Sequence, residues 1–264
     1  MINHNEMLPN ETLKKVIDEG GAEQYLSAAP FPSGVYDNVF DEALLDKVIE
    51  EFAESEKDWR EFDSKYEKKL QMNKDRNLGP VTRALIHNLN SEPFLDFLEK
   101  LTGINGLIPD PYLVGGGLHK IPRGGKLGIH VDFNRHKEMR VFRRINVLVY
   151  LNKDWKEEYG GHFEFWDGLK GSCIKKILPV FNRMAIFSTT SDSFHGHPHP
   201  LTCPEDRHRI SLALYYYTAE ERGDQAKGVH STQFLTKDLK REDLTAMSFS
   251  DRVKTAVKTL LGRT

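Results

Sequence analysis

Three stretches within the first 105 residues carry apolar side chains at helical spacing. The first covers 10–17 and begins at Asn10, a good helix N-cap. The second follows Asp41, another N-cap candidate, and its apolar stripe consists of Leu44, Leu45, Val48, Ile49 and Phe52. The third covers 91–101 and stops before a glycine. The pattern therefore predicts three amphipathic helices in this part of the chain.

The pattern changes after residue 106 to short runs of β-branched and aromatic residues separated by Gly, Pro, Asn and Asp. These runs are Tyr112–Val114, Arg144–Leu151, His162–Trp166, Ile174–Leu178, Arg183–Phe187 and Ile210–Tyr217. An earlier run over 30–40 predicts one more strand ahead of the second helix. Many short strands with turn signals between them favour a mainly β fold with flanking helices, of the closed double-sheet or jelly-roll kind.

We interpret the chain as one domain over 1–264. Its parts are N-terminal helices with an opening strand in 1–106, a β core in 107–218, and an extension in 219–264 with a predicted helix at 248–260. The segment 54–77 is densely charged and has few apolar anchors, so it is predicted to be a solvated loop or lid.

Composition excludes several classes of protein. The 264 residues include 37 Lys and Arg against 39 Asp and Glu, so the net charge of -2 gives no reason to expect nucleic acid or an anionic membrane as a partner. The N-terminus lacks a secretory pattern and no run is apolar enough to span a bilayer, so we expect a cytoplasmic protein. With only two cysteines, neither a disulfide scaffold nor a Cys-rich zinc site is expected.

His130 and Asp132 stand two residues apart in a run that is predicted to be extended. Side chains at i and i+2 of a strand point to the same face, so an imidazole and a carboxylate would converge. Two His and one carboxylate on one side of a metal suit non-haem Fe(II) chemistry. The dyad therefore predicts a third ligand, another His, elsewhere in the chain.

The third ligand is predicted among three alternating histidines. His195, His197 and His199 lie within five positions, and prolines follow the second and the third. Proline removes a ladder donor, which favours a loop for His197 and His199. We therefore assign His195 as the ligand and keep the other two as alternatives.

Arg209 and Ser211 lie on one face of the last predicted strand. A guanidinium in an otherwise apolar strand needs an anionic partner, and its planar fork suits a carboxylate held by two hydrogen bonds. The Ser211 hydroxyl would contact the same carboxylate.

The order His130, Asp132, His195, then Arg209 and Ser211 resembles the Fe(II)- and 2-oxoglutarate-dependent oxygenases. The prolyl 4-hydroxylase-like branch is the most similar, because three further motifs match its strands and turns. These are Val149-Tyr150-Leu151-Asn152-Lys153-Asp154-Trp155, Gly160-Gly161-His162-Phe163-Glu164-Phe165 and Leu178-Pro179-Val180-Phe181-Asn182-Arg183. The resemblance covers about 110–217. One departure is the separation of fourteen residues between His195 and Arg209, which is long for the family and keeps His199 open as a ligand.

The resemblance implies a double-stranded β-helix, a cupin-like jelly roll, with His130, Asp132 and His195 as ligands of Fe(II). It implies that Arg209 holds the distal carboxylate of 2-oxoglutarate, with Tyr150, Ser211 and Asn146 as further cosubstrate contacts. O2 is the other cosubstrate, and ascorbate is a candidate cofactor. The implied reaction hydroxylates an unactivated C–H bond and releases succinate and CO2.

Substrate choice is expected to come from the loops 115–126 and 133–144 and from the charged segment 54–77. The mouth of the site, formed by these loops, would be basic. Its basic residues are Arg123, Lys126, Arg135, His136, Lys137, Arg140, Arg143 and Arg144. A prolyl, peptidyl or amino-acid substrate is the first hypothesis, and a small metabolite or glycan component is the second. A catalytically silent metal-binding interaction module is the third, and the oligomeric state stays open.

Overall fold

The computed structural model describes residues 7–54, 59–220 and 228–235. Its helices are α1 (Asn10–Asp18), α2 (Gly21–Ser27), α3 (Glu42–Glu54), α4 (Pro80–Leu89) and α5 (Glu92–Thr102). Its strands are β1 (Ser33–Asp37), β2 (Arg60–Asp63), β3 (Glu67–Met72), β4 (Ile108–Pro109), β5 (Gly117–Ile121), β6 (Lys126–Val131), β7 (Phe142–Tyr150), β8 (Phe163–Asp167), β9 (Ser172–Ile177), β10 (Arg183–Ser188), β11 (Phe194–His197), β12 (Arg209–Thr218) and β13 (Gln233–Phe234).

The strands form one antiparallel sheet in the order β1-β10-β7-β12-β5-β3-β6-β11-β8-β9. Strand β3 joins the two parts of this path, because it pairs with β5 through Leu70–Met72 and with β6 through Glu67 and Lys68. The predicted fold class, mainly antiparallel β with few helices, is confirmed and matches a jelly roll.

The two faces of β7 carry different side chains. Ile145, Val147 and Val149 belong to the large apolar core that the helices help to build. Leu148 and Tyr150 alternate with them and pack among Phe163, Phe165 and Phe187 on the other face. The two-residue period of a strand produces this division, and the second face leads to the candidate site.

Three helices agree with the sequence prediction. Helix α3 is capped by Asp41, whose carboxylate accepts a hydrogen bond from the Leu44 amide at 2.9 Å. Helix α5 ends at Gly103 in the left-handed conformation. Helices α2 and α4 have no counterpart in the prediction.

The prediction of a solvated loop or lid over 54–77 is wrong for most of its described residues. Strands β2 and β3 form a hairpin there, and Gln71 and Met72 are buried. The side chains of β2 are mostly exposed and those at the start of β3 are half-buried, while backbone pairing with β5 and β6 secures β3. A charge-rich strand of this kind carries too few apolar positions to be recognised by its periodicity.

The segment after residue 110 also differs from its prediction. Tyr112–Val114 is a turn rather than a strand, because the Asp110 carboxylate accepts hydrogen bonds from the amides of Tyr112 and Val114, each at 2.8 Å. The predicted mouth loop 115–126 contains strand β5.

The described residues up to Phe234 form one compact unit. The helix predicted at 248–260 lies outside the described residues, and the single domain over 1–264 stays a prediction. No helix in the described part of the chain has the length and apolarity needed to cross a membrane.

Candidate metal and cosubstrate site

Strands β6 and β11 bring the three predicted ligands together. His130 lies near the end of β6, and Asp132 follows that strand directly. His195 is the cross-strand partner of His130. One ligand atom from each of the three residues lies within 4.8 Å of the others, which is close enough to hold a metal ion.

Both histidine rings are oriented by backbone carbonyls. The Nδ1 atom of His130 lies 2.9 Å from the Gly128 oxygen, and Nδ1 of His195 lies 2.8 Å from the Ser193 oxygen. A carbonyl can only accept, so each Nδ1 carries a proton, and the neutral tautomer that keeps this proton presents the Nε2 lone pair. Ring orientation of this kind is typical of metal-binding histidines.

The Nε2 atoms point at the Asp132 carboxylate. They lie 3.5 Å from Oδ1 in the case of His130 and 3.3 Å from Oδ2 in the case of His195. Burial, followed by the nearby His195, lowers the pKa of His130 and favours its neutral form. Lone pairs and a carboxylate that converge in a buried site require a cation, so the donor set fits a metal ion.

Arg143 and Asn146 both contact the carboxylate of Asp132. The Asn146 amide donates to Oδ2 of Asp132 at 2.8 Å, and the Arg143 guanidinium lies 3.1 Å from the same oxygen. Burial alone would raise the pKa of Asp132, but Arg143 and His195 outweigh it and hold that pKa well below its usual value. Asp132 is therefore a carboxylate with one oxygen fixed by the protein.

Arg143 was predicted to lie in a basic mouth of the site, but the structure places it in the interior. Its side chain is 1% exposed and its guanidinium lies 3.4 Å from the centre of the Tyr215 ring. Arg144 and His136, also assigned to the mouth, are buried as well. The pairing of β7 with β12 is irregular around Arg143, because Tyr216 lies opposite Ile145 and Tyr217 lies opposite Arg143. Arg143 therefore contacts Asn146, although strict alternation would place the two side chains on opposite faces. Nothing in the local sequence distinguishes Arg143 from the exposed basic residues nearby.

Arg209 is buried at the other end of the site. Its Nε atom donates to the Gly161 oxygen at 2.9 Å, and its terminal nitrogen lies 3.4 Å from the Tyr150 hydroxyl. Among the described residues it has no carboxylate partner. Burial lowers the pKa of Arg209, with Tyr150 opposing the shift. A buried guanidinium without an anion is costly, so this position fits the carboxylate of a ligand.

One cavity of about 510 Å³ joins the metal ligands to Arg209. Its polar lining also includes Asn146, Ser211, His119, His197 and Lys69. Tyr150 packs against Arg209 from the aromatic cluster behind the cavity, where burial raises its pKa to about 12 against the influence of Arg209. Asn146 thus contacts Asp132, whereas Tyr150 contacts Arg209.

The structure separates the three alternating histidines. His197, predicted in a loop, is the last residue of β11 and is buried, because Gly196 and His197 continue the pairing with β8 and β6. His199 lies in the loop that follows and is exposed. Neither belongs to the metal-capable group found in the described part of the chain.

His119 and Lys69 line the cavity without having been singled out from the sequence. Strands β5 and β3 carry them, and both strands fall in segments predicted to be loops. Ile121 lies two residues further along β5 on the same face, and this apolar, buried neighbour could have indicated that His119 faces inward.

Known proteins resemble the chain in sequence and in fold. The sequence model of the 2OG-Fe(II) oxygenase superfamily matches residues 116–217. This segment is similar to that superfamily. The resemblance predicted over about 110–217 is thus confirmed, and the oxygenase segment contains the metal-capable residues and Arg209. No curated protein sequence matches the chain significantly.

Three solved structures share the fold of the chain. A Trichoplax adhaerens prolyl hydroxylase in complex with a hypoxia inducible factor peptide fragment is 16% identical, with a TM-score of 0.54 over 84% of this chain and 94% of that one. A Pseudomonas putida prolyl-4-hydroxylase is 14% identical, with a TM-score of 0.53 over 78% and 98%. A prolyl 4-hydroxylase from Phytophthora capsici is 20% identical, with a TM-score of 0.55 over 93% and 75%. At these identities the likeness establishes the jelly-roll fold.

Proposed function

We propose that the protein is an Fe(II)- and 2-oxoglutarate-dependent dioxygenase that hydroxylates an unactivated C–H bond. The observation that carries the proposal is one cavity that joins the His130, Asp132 and His195 ligand atoms to Arg209, a buried cation without an anionic partner among the described residues. The superfamily of the segment 116–217 is named for the same two ligands.

Each residue has a distinct part in this function. His130 and His195 would hold the metal through Nε2, while backbone carbonyls keep Nδ1 protonated. Asp132 would supply the carboxylate ligand. Arg209 would bind the distal carboxylate of 2-oxoglutarate, with Ser211 beside it on β12 and Tyr150 fixing the guanidinium. Together these residues would hold the metal and the cosubstrate within one cavity.

The bound iron, with 2-oxoglutarate and O2, supplies the oxidising power and yields succinate and CO2. The protein surrounds this centre with apolar walls. Phe163, Phe187 and Leu148 line the same cavity as the ligands and limit the access of water. Ascorbate is the candidate reductant that would keep the iron in its ferrous state.

We propose a prolyl, peptidyl or amino-acid substrate. The three structures of similar fold are prolyl hydroxylases, and one of them holds a peptide fragment. A small metabolite or a glycan component is the alternative. The same product screen tests both, since each would gain one oxygen atom.

The decisive experiment begins with anaerobic binding of Fe(II) and 2-oxoglutarate, followed by addition of O2 to a panel of proline peptides, amino acids and metabolites. We expect succinate to form together with a substrate whose mass has increased by one oxygen. Metal and 2-oxoglutarate binding without any turnover would favour the silent metal-binding module. Failure to bind 2-oxoglutarate would refute the proposal.

Matched variants test the role proposed for each residue. Arg209→Ala should weaken 2-oxoglutarate binding by about tenfold to a hundredfold or more, because a charge-assisted hydrogen-bonded pair is lost. His195→Ala should abolish metal binding, whereas His199→Ala changes an exposed ring and should leave it intact. The reverse result for the two histidines would move the third ligand to His199.

A further inference from the structure

His197 is a buried polar side chain of the cavity that the proposed function does not use. It is 2% exposed, and both of its ring nitrogens lack a hydrogen-bond partner among the described residues. A buried imidazole carries at least one N–H donor in any protonation state, and leaving it unpaired costs free energy. The ring also lines the cavity that holds Arg209 and the metal-capable group.

Arg209 and Lys69 line the same cavity as His197. A guanidinium and an ammonium group offer only donors, so neither can accept the histidine N–H. Lys69 is itself engaged by Glu67 at 3.1 Å. A ligand in this cavity that offers acceptor oxygens would satisfy both His197 and Arg209.

We propose that His197 is a second hydrogen-bond donor, beside Arg209, to the distal carboxylate of 2-oxoglutarate. The inference rests on the proposed function, because it assigns a residue to the cosubstrate of that reaction. His197 is thereby a specificity residue. It favours a 2-oxo acid with a second carboxylate over one without it, and it is not an alternative metal ligand.

The test compares two 2-oxo acids on protein loaded with Mn(II), which binds such sites without starting the oxidation. 2-Oxoglutarate has the distal carboxylate, and 2-oxobutanoate has the same metal-chelating end without it. His197→Phe keeps a planar ring and removes both nitrogens. We expect the variant to bind 2-oxoglutarate about 10- to 100-fold more weakly by calorimetry, while its affinity for 2-oxobutanoate stays unchanged.

Two further variants control for folding and position. His197→Gln retains an N–H donor and should recover most of the affinity for 2-oxoglutarate. His199→Phe makes the same chemical change at the exposed histidine and should bind both acids as the unmodified protein does. Direct Mn(II) titration should give the same metal affinity for all the variants.

Several outcomes would overturn the inference. If His197→Phe weakened the binding of both acids equally, the residue would act through the metal or the fold. An unchanged affinity for 2-oxoglutarate would show that His197 does not contact it. If His197→Phe does not fold, a His197→Gln variant that loses 2-oxoglutarate binding as Arg209→Ala does would also refute it. Unmodified protein that binds Mn(II) but no 2-oxoglutarate refutes the proposed function itself, whereas normal binding with unaffected variants refutes the role of His197 alone.

Discussion

At the scale of single residues, the site depends on side chains whose partners are far away in the sequence. His130 and His195 are 65 positions apart and meet as cross-strand neighbours. Arg143 and Asn146 both lie on β7 and contact one carboxylate oxygen of Asp132, which follows β6. The metal-binding residues therefore depend on a supporting layer that fixes where the carboxylate points.

Arg143 should be a positioning residue for the metal site. Arg143→Met removes the guanidinium that lies 3.1 Å from Asp132 and frees the carboxylate to rotate. We expect Mn(II) affinity to fall by about tenfold to a hundredfold, as for other contacts to metal ligands. Titration followed by electron paramagnetic resonance measures it directly.

Arg144→Met is the matched control, because Arg144 is also buried but its guanidinium donates to the Thr218 hydroxyl at 3.1 Å. It should leave Mn(II) affinity unchanged even where it lowers stability. Equal losses in the two variants would mean that Arg143 contributes to folding rather than to the metal site.

At the scale of elements, the close approach of β6 and β11 requires glycine. A Cβ atom on Gly196 would lie 2.6 Å from the Gly128 backbone oxygen, which is the oxygen that accepts from His130 Nδ1. Gly196→Ala should therefore push the strands apart and weaken metal binding by about tenfold or more. Metal titration alongside thermal unfolding separates displaced ligands from unfolding.

Gly128→Ala provides a graded comparison in the same strand pair. Its Cβ would lie 3.2 Å from the Tyr66 oxygen and 3.3 Å from the Phe234 ring, so smaller movements would relieve the contacts. We expect a milder loss of metal affinity than in Gly196→Ala. A larger loss at Gly128 would contradict the role assigned to the tight contact at Gly196.

Helix α4 is capped by a side chain from helix α3. The Glu51 carboxylate accepts hydrogen bonds from the amides of Val81 and Thr82, each at 2.8 Å, where α4 begins. Glu51→Ala should lower the free energy of unfolding by about 1–2 kcal/mol, since cap and helix-dipole contacts are lost together. Urea unfolding measures this, and Glu50→Ala, at an exposed position one residue earlier, should change stability by less than about 0.5 kcal/mol.

The same contact explains why α4 was missed. Its start has Gly79 and Pro80 but no capping side chain of its own, so local signals were incomplete. By contrast, α3 has the capping residue Asp41 next to it in the sequence, and α5 has the closing residue Gly103. Likewise, β3 is defined by pairing with β5 and β6 rather than by apolar alternation, and periodicity alone could not identify it.

At the scale of the whole molecule, several histidines should make the metal-free protein sensitive to acid. Burial lowers the pKa values of His130 and His197, and burial together with Lys69 lowers the pKa of His119 to about 3. Below about pH 6.5 the unfolded chain binds protons that these native rings do not bind. Stability should therefore fall as the pH decreases from about 6.5 toward 3, by up to about 1.4 kcal/mol per pH unit for each histidine.

Urea unfolding in the presence of a chelator, at steps between pH 7 and 4, measures this slope. His119→Gln should reduce the slope of unfolding free energy against pH by the contribution of one bound proton. His199→Gln, at an exposed site, serves as the control. A slope that is identical in His119→Gln and the unmodified protein would show that His119 takes up its proton without loss of the fold.

The sequence by itself determined the fold class, the residues of the metal group and Arg209. These features follow from short-range rules, because alternation assigns faces, caps and glycines bound the helices, and the ordered motifs over 110–217 resemble a family. The tertiary structure decided which basic residues are buried, that 60–72 forms a hairpin, and that His197 lies in a strand facing the cavity. Each of these depends on pairing between distant segments, since the burial and partners of a charged side chain are set by the strands that pack around it and are not encoded in its own neighbours.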